Sequence, residues 1–596
     1  MRASVVLAMA AMWMLSPVAL DADERPNIVL VITDDQGYGD LGCHGNPVLK
    51  TPNLDRLYSE SVRLTDYHVA PTCTPTRAAL MTGHWPNRTG AWHTTFGRSL
   101  LREDEITIGR IFHDAGYATG MFGKWHLGDN YPFRPEDRGF SEVMRHDGGT
   151  IGETSDYWNS AYFDDTYFHN GKPDPVKGYC TDVWFDYARR FIKAQKKANK
   201  PFLAYISTNA PHWPMHAPPE FAAAYEEKLG VYVGHFFGMI ANIDHNVGRL
   251  RDFLEREGLT ENTIFIFTTD NGTKAGDKVF NAGMRGRKTS EYDGGHRVPL
   301  FIHWPAGGLT NGRDVEPITA HVDVPPTLLD LCGIEPPKDV DFDGRSIRPL
   351  LYNNAKPSDG SWPDRILITD SQRVLKPIKW RKSSVMTSRW RLVNGKELYD
   401  IHLDPGQKNN VAALHPEAVT RLTAFYDDWW DELKPTFKNV PTIYLGHKAE
   451  NPACLTSHDW VAKGKVAWNQ ALVRQAIDKP TTIGYWNVKV IEAGHYEIHL
   501  RRWPKEADIP INAPLPQGAD APGETPFRAS PGNAVAAVTA TVQIGEVTAQ
   551  APVEARAKEV VLRMTLPAGK ARMTAFFTNR DGGTVGAFYA YVKKPQ

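Results

Sequence analysis

Two acidic pairs and one cysteine in this chain have the residue types and spacing for shared chemistry. Asp34-Asp35 and Asp270-Asn271 each follow a short apolar run, Ile28–Thr33 (IVLVIT) and Ile264–Thr269 (IFIFTT). Carboxylates brought close together repel unless a cation sits among them. Every donor in the set is oxygen, so a hard ion fits, calcium ahead of magnesium, and no group of histidines argues for zinc. Singly, each pair also reads as the N-cap of a following helix. Two such pairs at strand ends of one sheet favour a metal.

Cys73 lies in Pro71-Thr72-Cys73-Thr74-Pro75-Thr76-Arg77, followed by the helix-like run Ala78–Thr82. Pro75 suits the first turn of a helix, which puts Cys73 at the helix N-terminus. Unpaired N–H groups and partial positive charge there favour anions and activate a nucleophile. On its own, such a cysteine reads more readily as an inert buried thiol. Two further polar groups follow apolar runs. Gly123-Lys124-Trp125-His126 comes after Ala118–Phe122, and Thr208-Asn209-Ala210-Pro211-His212 after Phe202–Ser207.

These four runs lack polar alternation and read as strands buried on both faces. Helical patterns at Thr107–Ala115, Val183–Ala194 and Gly238–Glu257 lie between them. Strands alternating with helices predict an α/β fold with a doubly wound, mostly parallel sheet. Ligands bind such sheets outside the carboxyl ends of the strands, so the polar groups should converge there. The catalytic α/β domain is expected over 23–360. A small antiparallel-sheet subdomain over 361–440 would hold strands Arg365–Thr369, Val385–Ser388, Trp390–Val393 and Glu397–Asp400, with helix Pro416–Lys434. Lys438–Ser457 reads as a loop. Over 458–596, alternating runs predict an antiparallel β-sandwich: Tyr485–Ile491, His495–Arg501, Val535–Ile544, Glu559–Thr565, Arg572–Phe577 and Ala587–Lys593. Pro510–Pro531 reads as a long loop within it. Trp486, Tyr496, Trp503, Phe588 and Tyr589 read as core aromatics rather than sugar-stacking rings.

The chain has 596 residues, is 41% hydrophobic and 23% charged, and carries net charge −1. No global field points to nucleic acid or a membrane surface, so an anionic ligand must be met by local cations. Residues 1–22 have the shape of a secretory signal peptide, with a membrane anchor as the alternative reading, and no later stretch is apolar enough to span a bilayer. A secreted or periplasmic protein is expected. With Cys73 set apart, Cys43, Cys180, Cys332 and Cys454 remain; disulfides among them and free buried thiols are equally open.

Cys73-Thr74-Pro75-Thr76-Arg77 resembles the C-x-P-x-R signature of type I sulfatases, of the alkaline phosphatase superfamily. Further matches stand in that family's order: Asp34-Asp35-Gln36-Gly37-Tyr38-Gly39-Asp40, Gly123-Lys124-Trp125-His126-Leu127-Gly128, Ala210-Pro211-His212-Trp213-Pro214 and Thr269-Asp270-Asn271-Gly272. The Arg287-Lys288, Asp293-Gly294-Gly295 and Arg297-Val298-Pro299 stretches resemble a further block of the family. The likeness covers about residues 26–435, with Thr76 where Ser is usual and Asp293 where Glu is.

The resemblance implies that a maturation enzyme oxidises Cys73 to formylglycine (3-oxoalanine). Asp34, Asp35, Asp270, Asn271 and the modified Cys73 would hold one calcium ion. Arg77 would orient the aldehyde hydrate, and Lys124 and Lys288 would grip sulfate oxygens. His212 would assist the leaving alcohol, and His126 would act as base when sulfate is expelled. One hydroxyl of the hydrate would attack sulfur to give a covalent sulfate ester, and the other would eject sulfate. The expected activity is hydrolysis of sulfate esters (a sulfuric ester hydrolase), with export and the appended domain pointing to sulfated polysaccharides or oligosaccharides. The alternatives are a formylglycine-dependent phosphonate or phosphodiester hydrolase and an inactive carbohydrate-binding homologue. His84, Trp85, Trp92 and His93 are expected to shape the pocket or to pack. His216 is a weaker candidate for lining it, and His235, His245 and His296 carry no expected role.

Overall fold

The structure is a computed structural model, and it describes residues 25–352, 360–476 and 483–595. The expected signal segment, 1–22, lies outside the described residues.

The main sheet has ten strands, and its five central members run parallel. In spatial order these are Thr263–Thr269, Asn27–Thr33, Phe202–Ser207, Ala118–Lys124 and Glu142–His146. Antiparallel strands flank them, Leu300–His303 on one side and Thr166–His169 on the other. The absence of alternation in the central runs has a direct cause. Along Asn27–Thr33, Ile28, Leu30 and Ile32 enter one core while Val29 and Val31 enter the core on the opposite face. A strand covered by helices on both sides has no solvent face to make polar.

The pairing is in step at the carboxyl ends. Thr33 stands opposite Thr269, Ile32 opposite Ser207, and Ser207 opposite Gly123. Asp34, Asp270, Thr208 and Lys124 therefore emerge together at one edge.

The four-stranded sheet Leu367–Asp370, Ser383–Met386, Trp390–Val393 and Glu397–Asp400 is antiparallel, and helix Pro416–Leu433 packs against it through Leu422, Tyr426 and Trp430. Two further sheets enclose a separate core. Trp486, Tyr496, Trp503, Phe588 and Tyr589 are all buried in it, so they pack rather than stack on sugar.

The loop reading of Lys438–Ser457 is corrected: it contains strands Ile443–Leu445 and Ala453–Thr456, which pair with Trp486–Val490 and Tyr589–Lys593. The helix expected at Gly238–Glu257 is the second part of a longer one, Pro219–Arg256, interrupted at Gly230, whose φ of 74° is non-helical. Cys43, Cys180, Cys332 and Cys454 are unpaired. Among the described residues no helix is long and apolar enough to cross a membrane.

Candidate active site

The helix Cys73–Thr82 begins at the cysteine itself, and all ten of its residues are buried. Pro75 lies in its first turn, where its missing N–H costs nothing. The helix stops at Gly83, whose φ of 73° lets its N–H bond back to the Ala79 carbonyl. Thr76 retains the hydroxyl function of the usual serine, donating to the Ala70 carbonyl at 2.9 Å. Asp293, where glutamate is usual, accepts from buried Arg391 at 3.1 Å.

Four residues along the helix from Cys73, Arg77 points into the sheet edge. Its Nε and Nη2 donate to Asp270 Oδ2 at 3.1 and 2.7 Å, and Nη1 donates to Ser207 Oγ and to the Lys124 carbonyl. Lys124 Nζ pairs with Asp34, and Lys288 Nζ with Asp35. Asn271 Nδ2 donates to Asp35 Oδ1 at 2.9 Å, and the Asp35 N–H donates to Asp270 Oδ1 at 3.1 Å. His212 Nε2 lies 3.6 Å from Asp35 Oδ2. Asp34, Asp35, Asp270, Asn271, Cys73, Arg77, Lys124, Lys288 and His212 thus come together, drawn from segments up to 254 residues apart in sequence.

Three oxygens in this set have no hydrogen-bond donor: Asp34 Oδ1, Asp35 Oδ2 and Asn271 Oδ1. Buried acceptors are rarely left so, and hard oxygen donors turned to one place suit a divalent cation such as calcium. Asp34, Cys73 and Asp270 also bring ligand atoms within 4.8 Å of one another. The residues present fit the metal that the sequence implied. Asp35 sits at a φ of 66° and His126 at 58°, a backbone conformation that costs non-glycine residues energy and gathers at functional sites.

The electrostatics are uneven. Burial and the neighbouring Asp34 push Asp270 up to about 7, although Arg77 opposes them. At Asp35 burial also pushes upward, but Lys288, His212 and Asn271 outweigh it and hold the carboxyl well below the usual carboxylate range. Burial raises the Cys73 thiol despite Lys124 and Lys288, so an unmodified cysteine here is a poor thiolate nucleophile. Burial and Lys288 lower His212 to about 3. Its Nδ1 faces the Trp213 carbonyl at 2.7 Å, which assigns the proton to Nδ1 and leaves Nε2 as an acceptor. Burial, Lys124 and His458 depress His126 as well. Its Nε2 faces the Thr94 carbonyl at 3.0 Å, and its Nδ1 has no partner.

Other histidines have other work. His216 Nε2 bonds the Glu524 carbonyl at 2.7 Å, His235 Nδ1 accepts from the Ala217 N–H, and His296 meets His68. His84 pairs with Glu105, and Trp85 and Trp92 pack edge-on against Trp429 and Phe437. Sequence reasoning missed His458. Its ring centroid is 6.2 Å from that of His126, and Glu153 and Asp459 flank it at 3.0 and 3.2 Å. It stands at no strand end of the main sheet and in no recognisable motif, so no sequence signal marked it.

The sequence matches the Sulfatase family over residues 26–334 and the family N-sulphoglucosamine sulphohydrolase, C-terminal, over 287–424. It is 32% identical over 360 residues to the N-acetylgalactosamine-6-sulfatase of Canis lupus familiaris, covering 56% of this chain and 67% of that protein. It is 31% identical over 473 residues to Arylsulfatase A of Homo sapiens, covering 70% of this chain and 89% of that protein. Among solved structures, Ps i-CgsB in complex with k-i-k-neocarrahexaose superposes with a TM-score of 0.61 at 28% identity, covering 68% of this chain and 92% of that one. The match over more than half the chain, with a site of this composition, establishes that the chain belongs to the sulfatase family and is a sulfuric ester hydrolase.

Proposed function

We propose that this chain is an exported sulfatase that removes sulfate from sulfated polysaccharides or oligosaccharides, using a formylglycine made from Cys73 and one bound calcium ion. The observation that carries this reading is the position of Cys73: it begins a buried helix beside Lys124, Lys288 and Arg77, against three oxygens that lack donors. The glycan assignment is supported by the relative named N-acetylgalactosamine-6-sulfatase. Export rests on the composition of residues 1–22.

Asp34, Asp35, Asp270 and Asn271 would hold the cation, which supplies a positive centre for a sulfate oxygen and favours an ionised nucleophile. An aldehyde hydrate supplies two hydroxyls on one carbon, one to take up the sulfuryl group and one to expel it. Arg77 is fixed by Asp270 and Ser207, so its charge is in place before substrate arrives. Such preorganisation is the largest usual source of transition-state stabilisation. Lys124 and Lys288 lie where they can exchange their carboxylate partners for nonbridging sulfate oxygens. At His212, Nε2 takes up a proton when an anion binds beside it and returns it to the departing alcohol. At His126, the free Nδ1 accepts the hydroxyl proton as sulfate leaves.

Two measurements test this. A peptide containing residue 73 should carry one oxygen in place of sulfur and two hydrogens. Cys73→Ala should lose at least about 10³-fold in kcat. An intact thiol in fully active protein, or an alanine variant as fast as the parent, would refute the proposal. Paired sulfate and phosphate ester substrates assayed together should show the sulfate ester preferred.

A further inference from the structure

The reaction above leaves unused a second set of charges beside the site. The Trp92–Arg98 loop is tied to the catalytic groups through the Thr94 carbonyl, which accepts from His126 at 3.0 Å. Segment 372–381 lies on that loop: Trp92 Nε1 donates to the Val374 carbonyl and Arg98 Nε to the Leu375 carbonyl, both at 3.1 Å. Beyond its far end, Lys382 Nζ donates to the carbonyl of Thr289, the neighbour of Lys288, at 3.1 Å. On the opposing side, the Lys274 N–H donates to the Asp35 carbonyl at 3.1 Å. Two loops and the segment between them thus frame the catalytic groups.

Five basic side chains occupy that frame. His93 and Arg98 are buried, Lys274 and Arg381 half-buried, and Arg373 exposed. Arg98 donates to the carbonyls of Leu375 and Gly97, and Arg381 to that of Ser371 at 2.5 Å. Among the described residues none of the five forms an ion pair. Several other arginines are neutralised: Arg88 by Asp343 and Glu432, Arg365 by Asp323, Arg391 by Asp66 and Asp293. The carboxyl within electrostatic reach of Arg381, that of Asp370, is already bonded to Asn87 and Gln372. Arg373 lies within electrostatic reach of both His93 and Lys274, so it bridges the two sides. Arg98, Lys274, Arg373 and Arg381, gathered without an ion-pair partner, raise the local potential, and an anion relieves it; His93, which burial and the arginines lower to about 3, adds no charge of its own near neutral pH. Guanidinium groups are suited to carboxylate and sulfate oxygens in two-point contacts.

We propose that His93, Arg98, Lys274, Arg373 and Arg381 form a subsite for a second anionic group, a sulfate or a carboxylate, carried by the same substrate beside the ester being cut. Arg373 and Arg381 make the contact, while Arg98 and His93 anchor the loop beneath. This inference rests on the glycan sulfatase reading and narrows it to multiply anionic glycans.

The test compares wild type with the Arg373→Ala/Arg381→Ala protein on three oligosaccharides of equal length. One carries the scissile sulfate alone, one adds a second sulfate, and one adds a uronate carboxylate. The expected result is a loss of about 10- to 100-fold in kcat/KM, through KM, on at least one doubly anionic substrate. The singly sulfated substrate should change less than about 2-fold, which also certifies folding. The arm that suffers names the anion. Equal losses on all three, or none on any, would overturn the subsite. A wild-type protein that cleaves none of the three while hydrolysing an aryl sulfate would instead defeat the glycan reading on which it rests.

Discussion

At Asp270 one oxygen receives two hydrogen bonds from Arg77 and the other receives the Asp35 N–H. That carboxylate anchors the site rather than merely facing into it. Asp270→Ala would strand a buried guanidinium, at a cost of about 3–5 kcal/mol. Asp34 is a different case, because its Oδ1 has no donor. Calcium should raise the wild-type melting temperature, since a ligand at 100 times its Kd adds about 2.7 kcal/mol to the native state. Asp34→Asn should keep the fold and lose most of that increment. An unchanged calcium response in this variant would remove Asp34 from the ligand set. Nine of the ten residues singled out for metal binding or chemistry meet at one sheet edge, and each could be named from the sequence because it lies in a short run read without knowledge of distant contacts. His458 and Arg373 could not be, since their significance comes only from packing across hundreds of residues.

Loops after the strands do the positioning. Gly149 is an example: a Cβ there would meet the His126 ring at 2.1 Å. Its N–H donates to Glu153 at 2.7 Å, and the next residue, Thr150, approaches His212 Nδ1 at 3.4 Å. Gly149→Ala should therefore displace His126, and a displacement near 1 Å costs about 100-fold in rate. We expect kcat to fall by that order with a normal melting temperature; an unaffected kcat would mean that His126 adapts or is not needed. Elements were legible where burial on both faces wrote a continuous apolar run. Val62–Leu64 and Glu142–His146 were missed because they are short and mix polar with apolar residues, and Leu300–His303 because it is only four residues long. Val547–Pro552 (VTAQAP) was missed because an edge strand needs no strong strand formers.

Over the whole molecule, the loops and short helices of the C-terminal region are built into the catalytic wall. Trp158 meets Trp503 and Trp213 meets Phe527, at 5.5 and 4.9 Å between rings. Gln470 Nε2 donates to the carbonyls of Glu153 and Tyr157 at 3.1 Å. His458, reaching in from this region, is held charged near neutral pH by Glu153 and Asp459 in spite of its burial. His458→Gln would leave those carboxylates unpaired, so a loss of about 3–5 kcal/mol is expected, with kcat reduced more than KM is raised. A variant with wild-type stability and kcat would show that the C-terminal region only caps the fold.

The in-step ends of the central strands have a consequence for how such a chain can vary. Thr33, Thr269 and Ser207 mark a common finishing line. Apolar residues behind that line can be exchanged for others of similar bulk, since both cores judge them by volume. Deleting one residue from any of these strands would draw Asp34, Asp270 or Thr208 back into the sheet and turn each following side chain to the opposite face. Length is thus held more tightly than composition here. Tolerated insertions and deletions should collect at the amino ends of the strands, away from the chemistry.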